Sequence, residues 1–162
     1  MVCPTDTVYG LVCDFNNKKA VERLYRIKKR QKTKPVPIFI KDIKMARKLA
    51  DIDSDQEKHL MLFWPGQVTA VLKKKKAKGT IGLRIPDYDF VCALIRRLNR
   101  PLTGTSANIA GEPASAKIKK IIKQFEGKKY VPDLIVSAGN LPENKPSKVI
   151  DLTVWPPKIL RY

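Results

Sequence analysis

Residues 64–86, WPGQVTAVLKKKKAKGTIGLRIP, decide the fold class. Trp64-Pro65-Gly66 stops a preceding helix, because proline cannot continue the ladder and glycine turns the chain. Beyond that stop, Val68 to Leu72 and Thr80 to Ile85 read as two strands, with Lys78-Gly79 between them, and predict an antiparallel hairpin. The run Lys73-Lys74-Lys75-Lys76 lies beside the turn and reads as a solvated hairpin end rather than as a reader of bases. Helical patterns flank the hairpin on both sides. Strands and helices therefore alternate, which predicts an α/β domain with an open, mixed sheet and flanking helices.

Working outward, Asn17 is placed to cap a helix running to about Arg30, with Ala20, Val21, Leu24 and Ile27 on one face. A short strand follows over Val36 to Ile40. Ile43, Ala46, Leu49 and Ala50 mark a second helix. Ser54-Asp55-Gln56-Glu57 has the form of a capping box opening a third. Downstream, Phe90, Val91, Leu94, Ile95 and Leu98 share a helical face. Pro101 to Thr105 predicts a strand that runs into Ser106-Ala107-Asn108. Ile118, Ile121, Ile122 and Phe125 line a further helix with Ser115 as a candidate cap. Three short strands close the chain: Leu134 to Val136, Val149 to Leu152, and Ile159 to the end.

The composition narrows the function. The 162 residues are 43% hydrophobic, which suits one folded domain. No apolar run is long enough to cross a bilayer, so no membrane partner is expected. Cys3, Cys13 and Cys92 show no metal-ligand spacing and read as reduced thiols of a cytoplasmic protein. His59 is the single histidine, against a histidine triad or a multi-histidine metal site. The net charge of +18 attracts polyanions such as nucleotides and RNA, although a lysine-rich solvated surface would carry the same number.

The candidate ligand groups lie at strand ends, where open α/β sheets gather their ligands. They are Thr5 and Thr7 in the segment PTDTVYGL (residues 4–11), the Lys28–Lys34 basic segment, Arg84, Ser106 with Asn108, Ser147 and Arg161. Lys28 and Arg30 sit where a helix has just ended, so both can turn toward one anion, unless they are simply the cations that suit a helix C-terminus. Ser106 and Asn108 offer a hydroxyl, an amide and free backbone N–H groups for a phosphate, or else form an ordinary turn. Arg84 within an apolar strand resists a plain reading, because arginine is rarely buried without a partner. No serine or cysteine has an evident base, and there is no phosphate-binding glycine loop. If the chain is an enzyme, these residues predict positioning and charge neutralisation rather than a covalent intermediate.

The order of the motifs carries a resemblance. PTDTVYGL, Lys28-x-Arg30 with Pro35 five residues on, Trp64-Pro65-Gly66, Leu83-Arg84-Ile85-Pro86, Ser106-Ala107-Asn108-x-x-Gly111-x-Pro113, Ser147-x-Val149-Ile150-Asp151 and Ile159-Leu160-Arg161 together resemble the YrdC family of threonylcarbamoyl-AMP synthases. The resemblance implies one YrdC-like (DHBP synthase-like) domain over 1–162, folded around a basic cavity. It implies synthesis of L-threonylcarbamoyladenylate and pyrophosphate from L-threonine, bicarbonate and ATP. Mg²⁺ would be held mainly by ATP phosphates, with no metal site on the protein. A downstream threonylcarbamoyl-transferase complex would then modify adenosine 37 of tRNA, and tRNA or double-stranded RNA would meet the basic surface.

Carried over by position, Thr7, Arg84, Gly104 and Ser147 would bind L-threonine. Arg30, Lys34, Thr80, Ser106, Asn108 and Arg161 would bind ATP. Lys28 and Arg30 would stabilise charge during catalysis. The chain departs from the family in starting without the usual N-terminal helix and part of the first strand. It also carries Gln67-Val68 after Trp64-Pro65-Gly66, Phe39 where some members have a histidine, Ala110 for a common serine, and Lys148 for a common threonine. Two other readings stay open: a paralogue that binds RNA or nucleotide without synthesis, and a carbamoyl-transfer relative, which normally carries further domains. Lys28-x-Arg30 and Ser106-Ala107-Asn108 discriminate the first, since paralogues tend to alter them.

Overall fold

A computed structural model describes residues 1–162. The chain builds two sheets, not the one mixed sheet expected. The smaller joins β1 (Val2–Cys3), β2 (Gly10–Leu11) and β7 (Thr105–Ser106) in antiparallel order β1-β2-β7. The larger joins β3 (Ile38–Phe39), β4 (Val68–Lys73), β5 (Thr80–Arg84), β6 (Leu102–Thr103), β8 (Lys148–Asp151) and β9 (Lys158–Arg161) in the order β6-β3-β5-β4-β8-β9. It is mixed: β3 runs parallel to β5 and β4 to β8, while β3–β6, β4–β5 and β8–β9 are antiparallel. The β4–β5 hairpin expected from residues 64–86 is at its centre.

The junction of the two sheets positions the cleft. The strand expected over Pro101 to Thr105 divides at Gly104, so β6 lies in the large sheet and β7 in the small one. Gly104 N donates to Pro37 O at 2.7 Å. A Cβ on Gly104 would fall 2.4 Å from the ring of Phe39, so only glycine passes this point without moving that ring.

Five helices cover the sheets: α1 (Lys18–Lys28), α2 (Ile43–Leu49), α3 (Ser54–Phe63), α4 (Asp89–Leu98) and α5 (Ile118–Phe125). Asn17 caps α1 as expected, accepting from Ala20 N. That helix ends at Lys28, before Arg30, because Lys29 adopts a left-handed conformation. The capping box of α3 stands one residue earlier than expected. Asp53 accepts from Gln56 N, and Gln56 Oε1 accepts from Asp53 N. A carboxylate beside the helix N-terminus outcompetes the Ser54 hydroxyl through its charge. Ser115 does not cap α5; its Oγ accepts from Lys117 N, ahead of the helix. The strand expected over Leu134 to Val136 reduces to one bridge, Ile135 to Val2. That over Val36 to Ile40 shortens to β3, since Pro35 and Pro37 have no N–H to give a ladder.

Two apolar cores follow from this division. The larger gathers Ile38, Leu72, Leu83 and Leu102 of the large sheet with Ala46, Leu60 and Ile95 of α2, α3 and α4. The smaller packs Leu24 and Ile27 of α1 and Ile121 and Phe125 of α5 against Val2, Tyr9 and Leu11. No helix is long and apolar enough to cross a membrane.

Candidate functional site

Two recesses meet along the junction of the sheets. The inner one, about 110 Å³, is lined in part by Thr7, Phe39, Arg84, Gly104, Ser147 and Arg161. The outer one, about 370 Å³, is lined in part by Lys28, Lys29, Lys34, Asn108 and Gly111. Arg30 and Ser106 line both, which makes them one cleft. Six basic side chains line this cleft (Lys28, Lys29, Arg30, Lys34, Arg84 and Arg161) and no carboxylate does. A recess of about 660 Å³ lies elsewhere, where Asp51, Asp53 and Asp55 offset Arg47, Lys73 and Lys75. Equal numbers of each sign leave it without the field that gathers anions.

Arg84 closes the inner end. Its side chain is 3% exposed and pairs with Asp6, 8% exposed, at 2.5 Å. Nε donates to Gly66 O at 2.8 Å and Nη1 reaches Thr7 Oγ1 at 3.4 Å. The guanidinium also lies 5.7 Å from the centre of the Phe39 ring. Burial lowers its pKa and the Asp6 charge raises it, so the pair keeps it ionised. Of five N–H donors, one on Nη1 and one on Nη2 are unspent, a pair matched to an incoming carboxylate.

Thr5 and Thr7 separate cleanly. Thr5 Oγ1 donates to Val8 O at 2.6 Å and accepts from Thr7 N, so it holds the turn. Thr7 Oγ1 touches only Thr5 Oγ1 and the long Arg84 contact, which leaves it capacity for a ligand. Opposite, Ser147 Oγ lies 3.0 Å from Thr69 Oγ1, and Arg161 holds the Ser147 carbonyl through Nε and Nη2 at 3.0 and 2.6 Å. Arg161 Nη1 stays unspent beside the cleft.

The outer end departs from expectation. Lys28 is 2% exposed, and Nζ donates to Ser106 O, Asn108 O and Asn108 Oδ1 at 2.6, 3.0 and 2.9 Å. Its three protons are thereby used, so it does not swing freely toward an anion. Burial first, then the charge of Arg30, push its pKa down to about 8. The loop's N–H groups are not free either. Those of Ala107, Asn108 and Ala110 bond Tyr9 O, Ser106 O and Lys28 O, and that of Ile109 bonds Gln124 Oε1. Ser106 Oγ donates to Asn108 Oδ1 at 2.6 Å. Arg30 Nε and Nη2 donate to the Lys34 and Pro35 carbonyls, leaving Nη1 unspent.

Of the residues singled out by sequence, the cleft thus gathers Thr7, Lys28, Arg30, Lys34, Arg84, Gly104, Ser106, Asn108, Ser147 and Arg161. Thr80 is outside it, exposed at the far end of β5 from Arg84. Sequence reading missed Asp6 as the partner of Arg84, although a buried arginine demands an anion and Asp6 stands between the two threonine hydroxyls of the turn. It also missed Tyr9, whose hydroxyl bonds Gly139 O and Ala138 N.

Comparison with known proteins gives concordant results. The whole chain, residues 1–162, matches the Sua5/YciO/YrdC family model, described as "Telomere recombination". A Methanocaldococcus jannaschii protein provisionally named threonylcarbamoyl-AMP synthase is 36% identical over 159 residues, covering 94% of this chain and 73% of that one. The threonylcarbamoyl-AMP synthase of Pyrococcus abyssi is 34% identical over 98% of this chain, which spans about half, 48%, of its length. The crystal structure of P. abyssi Sua5 with L-threonine superposes with a TM-score of 0.88, again covering 48% of that chain. Escherichia coli YciO superposes at 0.86, with 30% identity over 99% of this chain and 81% of its own.

Proposed function

The chain belongs to the Sua5/YciO/YrdC family, and on that premise we propose that its cleft joins L-threonine, bicarbonate and ATP into L-threonylcarbamoyl-AMP and pyrophosphate. One observation carries the proposal: six cations and no carboxylate face a single cleft, with a buried arginine at its narrow end. Such a cleft suits a small carboxylate at one end and a polyphosphate at the other.

The two unspent N–H groups of Arg84 take the threonine carboxylate. Thr7 Oγ1, Ser147 Oγ and the chain at Gly104 close around the rest of the amino acid. The threonine amine adds to bicarbonate with loss of water, giving N-carboxy-threonine. A carbamate oxygen attacks the α-phosphorus of ATP, and the bond to the β-phosphate bridging oxygen breaks as pyrophosphate leaves. No protein nucleophile takes part. Arg30 and Arg161, each with Nη1 unspent, neutralise the phosphates, with Lys34 at the rim and Ser106 and Asn108 shaping the wall. Lys28 adds charge from beneath.

Mg²⁺ fits as part of the nucleotide. The cleft lining offers no carboxylate, and Asp6 is tied to Arg84, so the ion would be held by phosphate oxygens and water rather than by the protein. When bound with the nucleotide it would supply Lewis-acid polarisation of the phosphates. Transfer to adenosine 37 of tRNA falls to a separate transferase complex. The tRNA has a surface to meet in Lys119, Lys120 and Lys123, exposed on α5, whose Gln124 is bonded to the loop following Asn108. The deciding assay measures pyrophosphate released from ATP and bicarbonate with candidate amino acids. Threonine-dependent release is expected; release independent of threonine, or none, removes the synthase reading.

A further inference from the structure

Buried lysines normally lie against a carboxylate. Lys28 does not. Its Nζ is held by three uncharged oxygens of the Ser106–Asn108 loop, and its own backbone carbonyl accepts from Ala110 N at 2.7 Å. One residue thus grips both ends of the loop, by ammonium and by carbonyl. Asn108 Nδ2 completes the knot by donating to Ile109 O and Glu112 O at 3.2 and 2.5 Å. Every polar group that the side chain of Lys28 meets is already satisfied, whereas its charge is not.

The charged surroundings make that imbalance one-sided. Lys29, Arg30, Lys32 and Lys34 stand on the same segment, the one carboxylate of α1, Glu22, is spent on Arg26 and Lys32, and residues 105–111 facing Lys28 carry no titratable side chain. On α5, packed behind that loop through Gln124, the nearby groups are Lys120 and Lys123. Glu112, at the edge of the knot, contributes its backbone carbonyl to Asn108 and has its side chain in solvent.

We propose that Lys28 is a positioning residue: it keeps its three bonds to the Ser106–Asn108 loop while nucleotide binds, and the polyphosphate completes its charge through space rather than by direct contact. This rests on reading the cleft as a nucleotide site. The direct donors are then Arg30 and Arg161. Burial, and then the charge of Arg30, bring the Lys28 ammonium down to about 8. An arriving anion reverses that, so binding at alkaline pH is accompanied by uptake of a proton at Lys28.

The test is calorimetric titration of the full chain with ATP alone, without threonine or bicarbonate. Two buffers of different ionisation enthalpy are used at several values from pH 7 to 9.5, above the region where phosphate itself titrates, about pH 6. Wild type is expected to take up almost no proton at pH 7. Above about pH 8 uptake approaches one proton, and affinity falls by up to about tenfold per pH unit. Lys28→Arg, whose side chain does not titrate in this range, is expected to lose the uptake. Lys28→Met is expected to bind at least tenfold more weakly at pH 7 with no alkaline limb. Three results overturn the inference: pH-independent binding by wild type, wild-type affinity in Lys28→Met, or an ATP complex in which Nζ has left Ser106 and Asn108 for a phosphate oxygen. Proton-linked ATP binding without threonine-dependent pyrophosphate release keeps this role and removes the synthase. No ATP binding at any pH removes both.

Discussion

Asp6 Oδ2 accepts from Arg84 Nη2 at 2.5 Å, tying the turn before β2 to the end of β5 inside the cleft wall. Asp87 N donates to the same oxygen at 3.2 Å, while Asp6 Oδ1 is buried without a partner. Removing one member of such a pair strands the other charge and costs about 3–5 kcal/mol. Asp6→Ala is therefore expected to lose stability on that scale in urea unfolding. Arg84→Ala is expected to weaken threonine binding far more than ATP binding in calorimetry; equal losses would contradict the proposed role of Arg84 as the carboxylate clamp.

Gly104 and Phe39 form a second coupled pair. A methyl group at Gly104 meets the Phe39 ring at 2.4 Å, and that ring cannot retreat without leaving the Arg84 face. Gly104→Ala should cost about 1–3 kcal/mol through overpacking. Adding Phe39→Leu to it is expected to recover part of the loss, giving a coupling above about 0.5 kcal/mol in a thermal or urea double-mutant cycle. Additive losses would show that the clash is relieved by backbone movement instead.

The helices and the central hairpin were legible in sequence because their signals are local: period, cap and breaker lie within one window. Asn17, Trp64-Pro65-Gly66 and the Lys78-Gly79 turn each acted where they stand. The split at Gly104 was not legible, since Pro101 to Thr105 reads as one strand and the change of partner sheet is a tertiary event. The chemical types of the site were readable, but their states were not. Lys28 and Lys29 look alike in sequence, yet the first is buried in a cage of oxygens and the second is exposed. Only the arrival of residues 106–110 against the end of α1 distinguishes them.

Tyr9 anchors the segment leading to Ser147. Its hydroxyl donates to Gly139 O at 2.6 Å and accepts from Ala138 N at 2.9 Å. Tyr9→Phe leaves both backbone groups without that partner, at about 1–2 kcal/mol. Limited proteolysis is expected to cut within residues 137–147 faster in the variant, with the rest of the chain resistant. Unchanged cleavage would mean the segment is held from elsewhere.

The α5 lysines give the tRNA proposal a salt signature. Replacing Lys119, Lys120 and Lys123 by serine should weaken tRNA binding and reduce the slope of log affinity against log salt by about one for each lost phosphate contact. An unchanged slope in filter binding or anisotropy would place the phosphate contacts on another face.

Lys28 also sets a pH dependence of stability whose sign is fixed. Its folded pKa, about 8, lies below the ordinary lysine value of 10.5. Between those values the unfolded chain holds more protons than the folded one. The contribution of this group to stability therefore rises with pH through that window, is complete above the unfolded value, and is lost as pH falls through about 8. Lys28→Met has no such term, so the stability of wild type minus that of the variant is expected to be flat near pH 7. It should then climb toward pH 10 by at most about 1.4 kcal/mol per pH unit. Urea unfolding of both proteins at pH 7, 8.5 and 10 measures the difference, in which the titration of the exposed lysines cancels. A falling difference would mean that Lys28 gains an anionic partner in the fold, which the uncharged cage of Ser106 and Asn108 does not provide.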